Sequence, residues 1–100
     1  MPSTSETIFS GITATKTDTA NFSIRDYSAV ALSVIGTDTA VATVKVYGVD
    51  AGGNDVEIHE FSFTTDDNKG VSLTWVGYTQ VTVHITAYTT GTFAAYLDAR

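Results

Sequence analysis

The sequence predicts an all-β protein, a two-sheet antiparallel β-sandwich of jelly-roll-like character with about eight short strands. Threonine is the commonest residue and is mixed with Val, Ile, Phe and Tyr, side chains that suit the pleated surface of a strand. Apolar and polar residues alternate in 79-TQVTVHIT-86, which predicts one buried and one solvent-exposed face. Short runs of turn residues recur between such segments, as in a sandwich or barrel.

Eight strands are expected in chain order, each bounded by turn residues such as Gly36 to Thr39, Asp66 to Gly70, and Thr89 to Gly91. Their predicted ranges are 7–15, 20–25, 28–36, 41–49, 56–65, 70–76, 79–88 and 92–98. In the seventh strand, alternation directs Val81, Val83 and Ile85 to the core, with Gln80, Thr82, His84 and Thr86 facing solvent. The aromatic residues expected to face inward are Phe22, Phe61, Phe63, Trp75 and Phe93.

The chain repeats its own pattern, which predicts pseudo-duplicated halves. The stretch 27-YSAVALSVIGTDTAVATVKV-46 returns in fainter form as 78-YTQVTVHITAYTTGTFAAYL-97, at an offset of 51 residues. A sheet with one apolar face must cover that face, so we expect two similar halves stacked about 10 Å apart.

The segment 56-VEIHEFSFT-64, which lies between the two similar stretches, either joins the sheet of the first half or crosses between sheets. Its apolar residues change parity near its middle. An extra residue at His59-Glu60 would return them to one side, so a β-bulge or a bend is expected there.

Length and composition indicate a single domain over residues 7–100, preceded by a polar, flexible N-terminal arm over residues 1–6. Cysteine is absent, so neither disulfides nor thiolate metal sites are expected to hold the fold. The apolar runs are too short to span a bilayer, and the N-terminus lacks the pattern of a secretory signal. The formal net charge of −6 argues against nucleic acid as a partner.

No residue set in the sequence predicts chemistry, so no catalytic residue, cofactor or metal is expected. The two histidines, His59 and His84, stand at the expected bulge and on the face expected to be wet, without the spacing of a triad or a metal site. The Asp50–Asp55 and Asp66–Asn68 loops offer oxygen ligands for calcium, but they lack the ligand ladder of a calcium loop, and turn chemistry is the preferred interpretation.

Three tyrosines, Tyr47, Tyr88 and Tyr96, fall on outward faces or strand ends. Exposed tyrosines occur at protein interfaces, and they are also ordinary strand residues; both interpretations stand. The full set of interface candidates is Ile8, Phe9, Tyr47, His84, Tyr88 and Tyr96.

The tyrosine-led strand, Thr-Thr-Gly hairpin and closing strand of 78-YTQVTVHITAYTTGTFAAYL-97 resemble small β-sandwich virion proteins of tailed bacteriophages. The resemblance implies a non-enzymatic structural protein, foremost a capsid decoration (cement) protein. It implies the outer capsid surface of the virion as location, after synthesis in the host cytoplasm. Its partners would be the major capsid protein or another virion protein, and copies of itself, with a trimer favoured. No functional residue is carried over from the family.

The alternative is a carbohydrate- or receptor-binding sandwich module of a phage tail or spike. It predicts a localised aromatic platform beside an acidic loop, whereas a decoration protein needs a broad contact surface.

Overall fold

The computed structural model describes residues 3–73 and 77–100. Every strand pairing in it is antiparallel, and within the described ranges there is no helix, hence none that could span a membrane. The all-β prediction is confirmed. The strands are β1 (Thr4–Ile12), β2 (Phe22–Ser23), β3 (Val30–Val49), β4 (Asp55–Phe63), β5 (Asp67–Leu73) and β6 (Gln80–Ala99).

The two longest strands, β3 and β6, pair with each other along their whole length and bend together. Each has 20 residues, which would extend about 66 Å if straight. The longest dimension of the protein is 37 Å, so neither strand can be straight. Each strand therefore runs through one layer, bends, and continues in the other.

The bend is a bulge in the β3–β6 pair. Thr37 pairs with Thr92 and Val41 pairs with Thr90, so three residues of β3 lie opposite Gly91 alone. Asp38 and Thr39 take φ values of 59° and 64°, and Gly91 takes 110°. Further along the pair the register skips Thr89 and then Thr86 of β6, so both strands carry extra residues in this stretch. Such bulges bend and twist a strand pair, and they replace the chain reversals expected near residues 36–39 and 89–91. The predicted Thr-Thr-Gly hairpin is therefore wrong: the chain continues past it within one strand.

Because β3 and β6 are shared, each layer contains four strand segments, in agreement with the predicted sandwich. The first sheet has the order β1, the second half of β6, the first half of β3, and β5. The second sheet has the order β4, the second half of β3, the first half of β6, and β2, with Lys16 bridging to Ile85 beside β2. Over the described residues, six strands, two of them shared, take the place of the eight expected.

The core lies between the two sheets and is built from alternate residues along the strands of both sheets. The predicted inward set of Val81, Val83 and Ile85 is confirmed, since each is 0% exposed. Phe63 from the second sheet and Phe93 from the first meet edge to face, with ring centroids 5.3 Å apart. Phe61 is buried and Phe22 packs partly against the core. The prediction for Trp75 lies outside the described residues.

The predicted duplication is confirmed in the strand register. Phe22 pairs with Val81. The residue 51 positions after Phe22 is Leu73 and the residue 51 positions before Val81 is Val30, and these two residues also pair. The two long strands are therefore exchanged by a pseudo-twofold rotation, as are the two sheets. Even an edge ion pair is repeated with its charges reversed, as Lys16–Asp18 (2.9 Å) and Asp67–Lys69 (3.3 Å).

The segment between the two similar stretches is the counterpart of β1. Both β1 and β4 have nine residues, and their first residues, Thr4 and Asp55, are 51 apart. Of the two alternatives for this segment, joining the sheet of the first half is correct, because β4 pairs with the second half of β3. The expected bulge is present one residue earlier than predicted: the register skips Ile58, as it skips Ile8 in β1.

Several boundaries differ from the sequence expectation. Part of the N-terminal arm is a strand, since Thr4 to Glu6 pair with Ala99 to Leu97. The strand expected over 20–25 shrinks to the two residues of β2. Gly70, expected in the turn that begins at Asp66, lies within β5, and its φ is not positive.

We expect Gly91→Ala to lower the free energy of unfolding by about 2 kcal/mol or more. An added Cβ would lie 2.7 Å from the Ala40 Cα and 2.9 Å from the Thr37 carbonyl oxygen, at a φ that disfavours side chains. The matched control is Gly70→Ala, whose Cβ would come no closer than 3.4 Å to another atom. Urea denaturation measures both variants, and equal stabilities would contradict the role of Gly91 in the bend.

Candidate functional site

The outer face of the first sheet, called the first outer face, is almost free of charge. Cross-strand pairing places its outward side chains in three rows. Only one of the residues in these rows is charged, Asp98, and its Oδ1 accepts a hydrogen bond from the Ser5 hydroxyl at 2.6 Å. The rows are Asn68, Ile35 and Ala94; Gly70, Ser33, Tyr96 and Thr7; and Ser72, Ala31, Asp98 and Ser5.

Two larger side chains stand on this face among small ones. Tyr96 lies between Ser33 and Thr7 in its row, and Ile35 is its diagonal neighbour across the β3–β6 pair, within reach of an aromatic side chain. One open concavity lies beside Tyr96; its volume is about 290 Å³, and its lining includes Ser5, Glu6, Ser33 and Tyr96. A second, of about 270 Å³, lies further along the face and is lined by Ala31, Ser72, Asp98 and Arg100 among others.

The outer face of the second sheet, called the second outer face, is charged. The Lys45 Nζ lies 2.9 Å from a Glu57 carboxylate oxygen and 3.7 Å from one of Glu60. The hydrogen bond and the charge of Glu57 raise the pKa of Lys45. Such an ion-pair network is ordinary for a face in water. Because the second outer face is the pseudo-twofold counterpart of the first, the charges of the two faces can be compared directly.

His84 is buried on this second face, and the expectation that it faces solvent is wrong. His84 is 8% exposed, and Thr82, two residues earlier in the same strand, is 0% exposed. The Tyr47 ring covers His84 with a centroid separation of 4.8 Å. Burial lowers the pKa of His84, while the carboxylates of Asp55 and Asp18 act in the opposite direction.

The cover over Thr82 comes from the chain before β2. Thr19 donates to the Val83 carbonyl at 2.9 Å, Thr82 donates to the Ala20 carbonyl at 2.9 Å, and the two hydroxyls are 2.7 Å apart. Side-chain hydroxyls thus make contacts that backbone groups make in a regular strand. Alternation along one strand cannot report such a cover, because the covering segment lies more than 60 residues away in sequence.

The remaining interface candidates are spread over the molecule. Tyr88 donates its hydroxyl to the Gly91 carbonyl at 2.7 Å and so supports the bend. Ile8 is the bulged residue of edge strand β1, whereas Phe9 is 4% exposed and belongs to the core. Only Tyr47 and His84 are brought together; Tyr96 lies alone on the first outer face.

Carboxylates in the two acidic loops accept hydrogen bonds from backbone N–H groups of the same loop or of a neighbouring segment. Asp50 accepts the N–H groups of Gly52 (2.9 Å) and Asn54 (2.8 Å), and these bonds lower its pKa. Asp66 accepts the N–H of Ala40 at 2.8 Å and so ties the β4–β5 connection to the bend. Over residues 3–73 and 77–100, no three His, Asp or Glu side chains converge as a metal site would require.

A polar groove of about 580 Å³ lies between edge strands β4 and β5. Its charged rim includes Glu60, Asp67 and Lys69, and the His59 ring stands edge to face with Phe61, with centroids 4.6 Å apart. The groove therefore combines hydrogen-bonding side chains with an aromatic ring, although none of the three outward tyrosines lines it.

We expect the stability advantage of the wild type over His84→Phe to shrink as the pH falls from 7.5 to 5. The pKa of His84 is lowered in the folded chain, so below about pH 6.5 the unfolded chain binds the proton more readily and folding weakens. Phenylalanine keeps the ring against Tyr47 without titrating. Urea denaturation at both pH values gives the two differences; identical differences would contradict this role of burial.

The fold is shared with proteins of known structure, whereas sequence comparison finds nothing. No protein family matches the sequence, and no curated protein matches it. YomS, a protein derived from the SPBc2 prophage, superposes with a TM-score of 0.72 at 14% identity, covering 99% of this chain and 94% of YomS. The PBSX exported protein XepA superposes with a TM-score of 0.77 at 14% identity, covering 98% of this chain.

The chain spans only 37% of XepA. The globular domain of zebrafish complement 1qA superposes with a TM-score of 0.52 at 9% identity, covering 100% of this chain and 96% of that domain. At such identities, these comparisons establish a common sandwich fold.

Proposed function

We propose that the chain is a non-enzymatic structural protein of a bacteriophage virion, and specifically a decoration protein on the outer surface of the capsid. The observation that carries the proposal is the sandwich it has in common, over nearly the whole of both chains, with prophage-derived YomS. Its partners would be the major capsid protein and further copies of itself.

The surface chemistry supports a docking role. A decoration protein needs broad, rigid contact area more than reactive groups, and both outer faces are carried on paired strands. The formal net charge of −6 suits the outside of a shell, because packaged nucleic acid would repel an acidic protein inside it.

We expect the purified protein to co-sediment with capsids of its phage that were assembled without it. Binding should saturate at a fixed ratio of protein to capsid protein and should raise the temperature at which the particles break open, since a bound state is stabilised by its ligand. The matched control is the same capsid already carrying the protein, which should take up no more. An absence of pelleting over a wide range of concentrations would contradict a decoration role.

A second candidate function is a carbohydrate- or receptor-binding module of a tail or spike, favoured by the groove between β4 and β5. Its Glu60, Asp67 and Asn68 side chains offer hydrogen-bonding groups for sugar hydroxyls, and the His59 ring offers an apolar surface. Binding to a glycan array that Asn68→Ala abolishes, without pelleting on capsids, would favour this module. Failure of both experiments would exclude both proposals.

A further inference from the structure

We propose that two copies of this chain associate through their first outer faces, packed sheet against sheet about a twofold axis. This inference specifies the contact within the homo-oligomer that belongs to the proposed function. Its test needs no capsid, so its failure and the failure of the proposed function are distinguishable.

The duplication supplies an internal control for the first outer face. The rotation that exchanges the sheets places Tyr96 where the second face has Lys45, and Ser33 where it has His84. The second face has an ion-pair network of Lys45 with two glutamates, as expected for a surface in water. The corresponding strands of the first face hold one charge in three rows, although they belong to a chain of net charge −6. Depletion of charge is the compositional mark of the centre of an interface.

A second copy is the occupant that electrostatics favours. Twofold packing brings each surface against itself, so a face can pair with its own copy only if its charges are few or complementary. Asp98 and Arg100 line the same concavity at one end of this face. That end therefore carries charges of both signs, and Asp98 is the single charged residue in the three rows, so repulsion between like charges of two copies is small.

The relief of the face is also self-complementary. Tyr96 stands beside the concavity of about 290 Å³ that it helps to line. When two copies meet about a twofold axis that passes between Tyr96 and this concavity, each Tyr96 enters the concavity of the other copy. A four-stranded face is small beside standard interfaces of about 800 Å² per partner, so we expect association in the micromolar to millimolar range. An isologous pair takes the place of the trimer implied by the resemblance.

Sedimentation equilibrium over about 10 µM to 1 mM tests the pair. The mass of the wild type should rise from the 10.6 kDa of one chain towards twice that value. Ala94→Lys on the first face should weaken association at least tenfold. Its matched control is Thr43→Lys, since Thr43 is the pseudo-twofold counterpart of Ala94 and is likewise half-buried on an outer face; this variant should associate as the wild type does. Circular dichroism and urea midpoints establish that both variants fold.

A second measurement uses the absence of cysteine from the chain. Ser33→Cys should form a disulfide-linked pair under mild oxidation faster than Thr43→Cys, because only the first position lies at the proposed contact. A chain that stays monomeric at 1 mM, a trimer, or equal loss of association in the two lysine variants would each overturn the proposal.

Discussion

The close contact between β3 and β6 at their shared bend is the constraint on which the rest of the architecture depends. Gly91 lies against Ala40 and the Thr37 carbonyl with no room for a side chain, so three residues of one strand can lie opposite one of the other. The Tyr88 hydroxyl and the Asp66 carboxylate bind backbone groups on either side. Without this bulge, two strands of 20 residues would form one long ribbon with an uncovered apolar face.

The duplication explains how so short a chain makes two complete layers. Each half of the chain supplies two edge strands and one long strand. Each long strand passes through both sheets and pairs with the two edge strands of the other half: β3 with β4 and β5, and β6 with β1 and β2. Neither half can bury its apolar face alone. The pseudo-twofold relation also makes differences between the two outer faces informative, because outside the bend β3 and β6 exchange places in the same register while their side chains differ.

The sequence predicted the composition of the layers better than their connections. Alternation identified Val81, Val83 and Ile85 as core because a strand has a period of two. The turn residues at Gly36–Thr39 indicated a reversal, yet the same residue types also form bulges, and which of the two occurs depends on what lies opposite. The burial of His84 and Thr82 could not be predicted, since Thr19 and Tyr47 reach them from distant parts of the chain. The contrast between the outer faces became visible only once register fixed which residues share a row.

Interleaving has a mechanical consequence. In a sandwich whose layers are joined only by loops, one sheet can separate from the other while the strand pairs within each sheet stay intact. Here both central strands pass through both layers, so separating the sheets would require the long β3–β6 ladder to break near its middle in the same event. We therefore infer a single cooperative unit without a soft hinge between layers, in which force applied to either sheet is borne by the whole molecule.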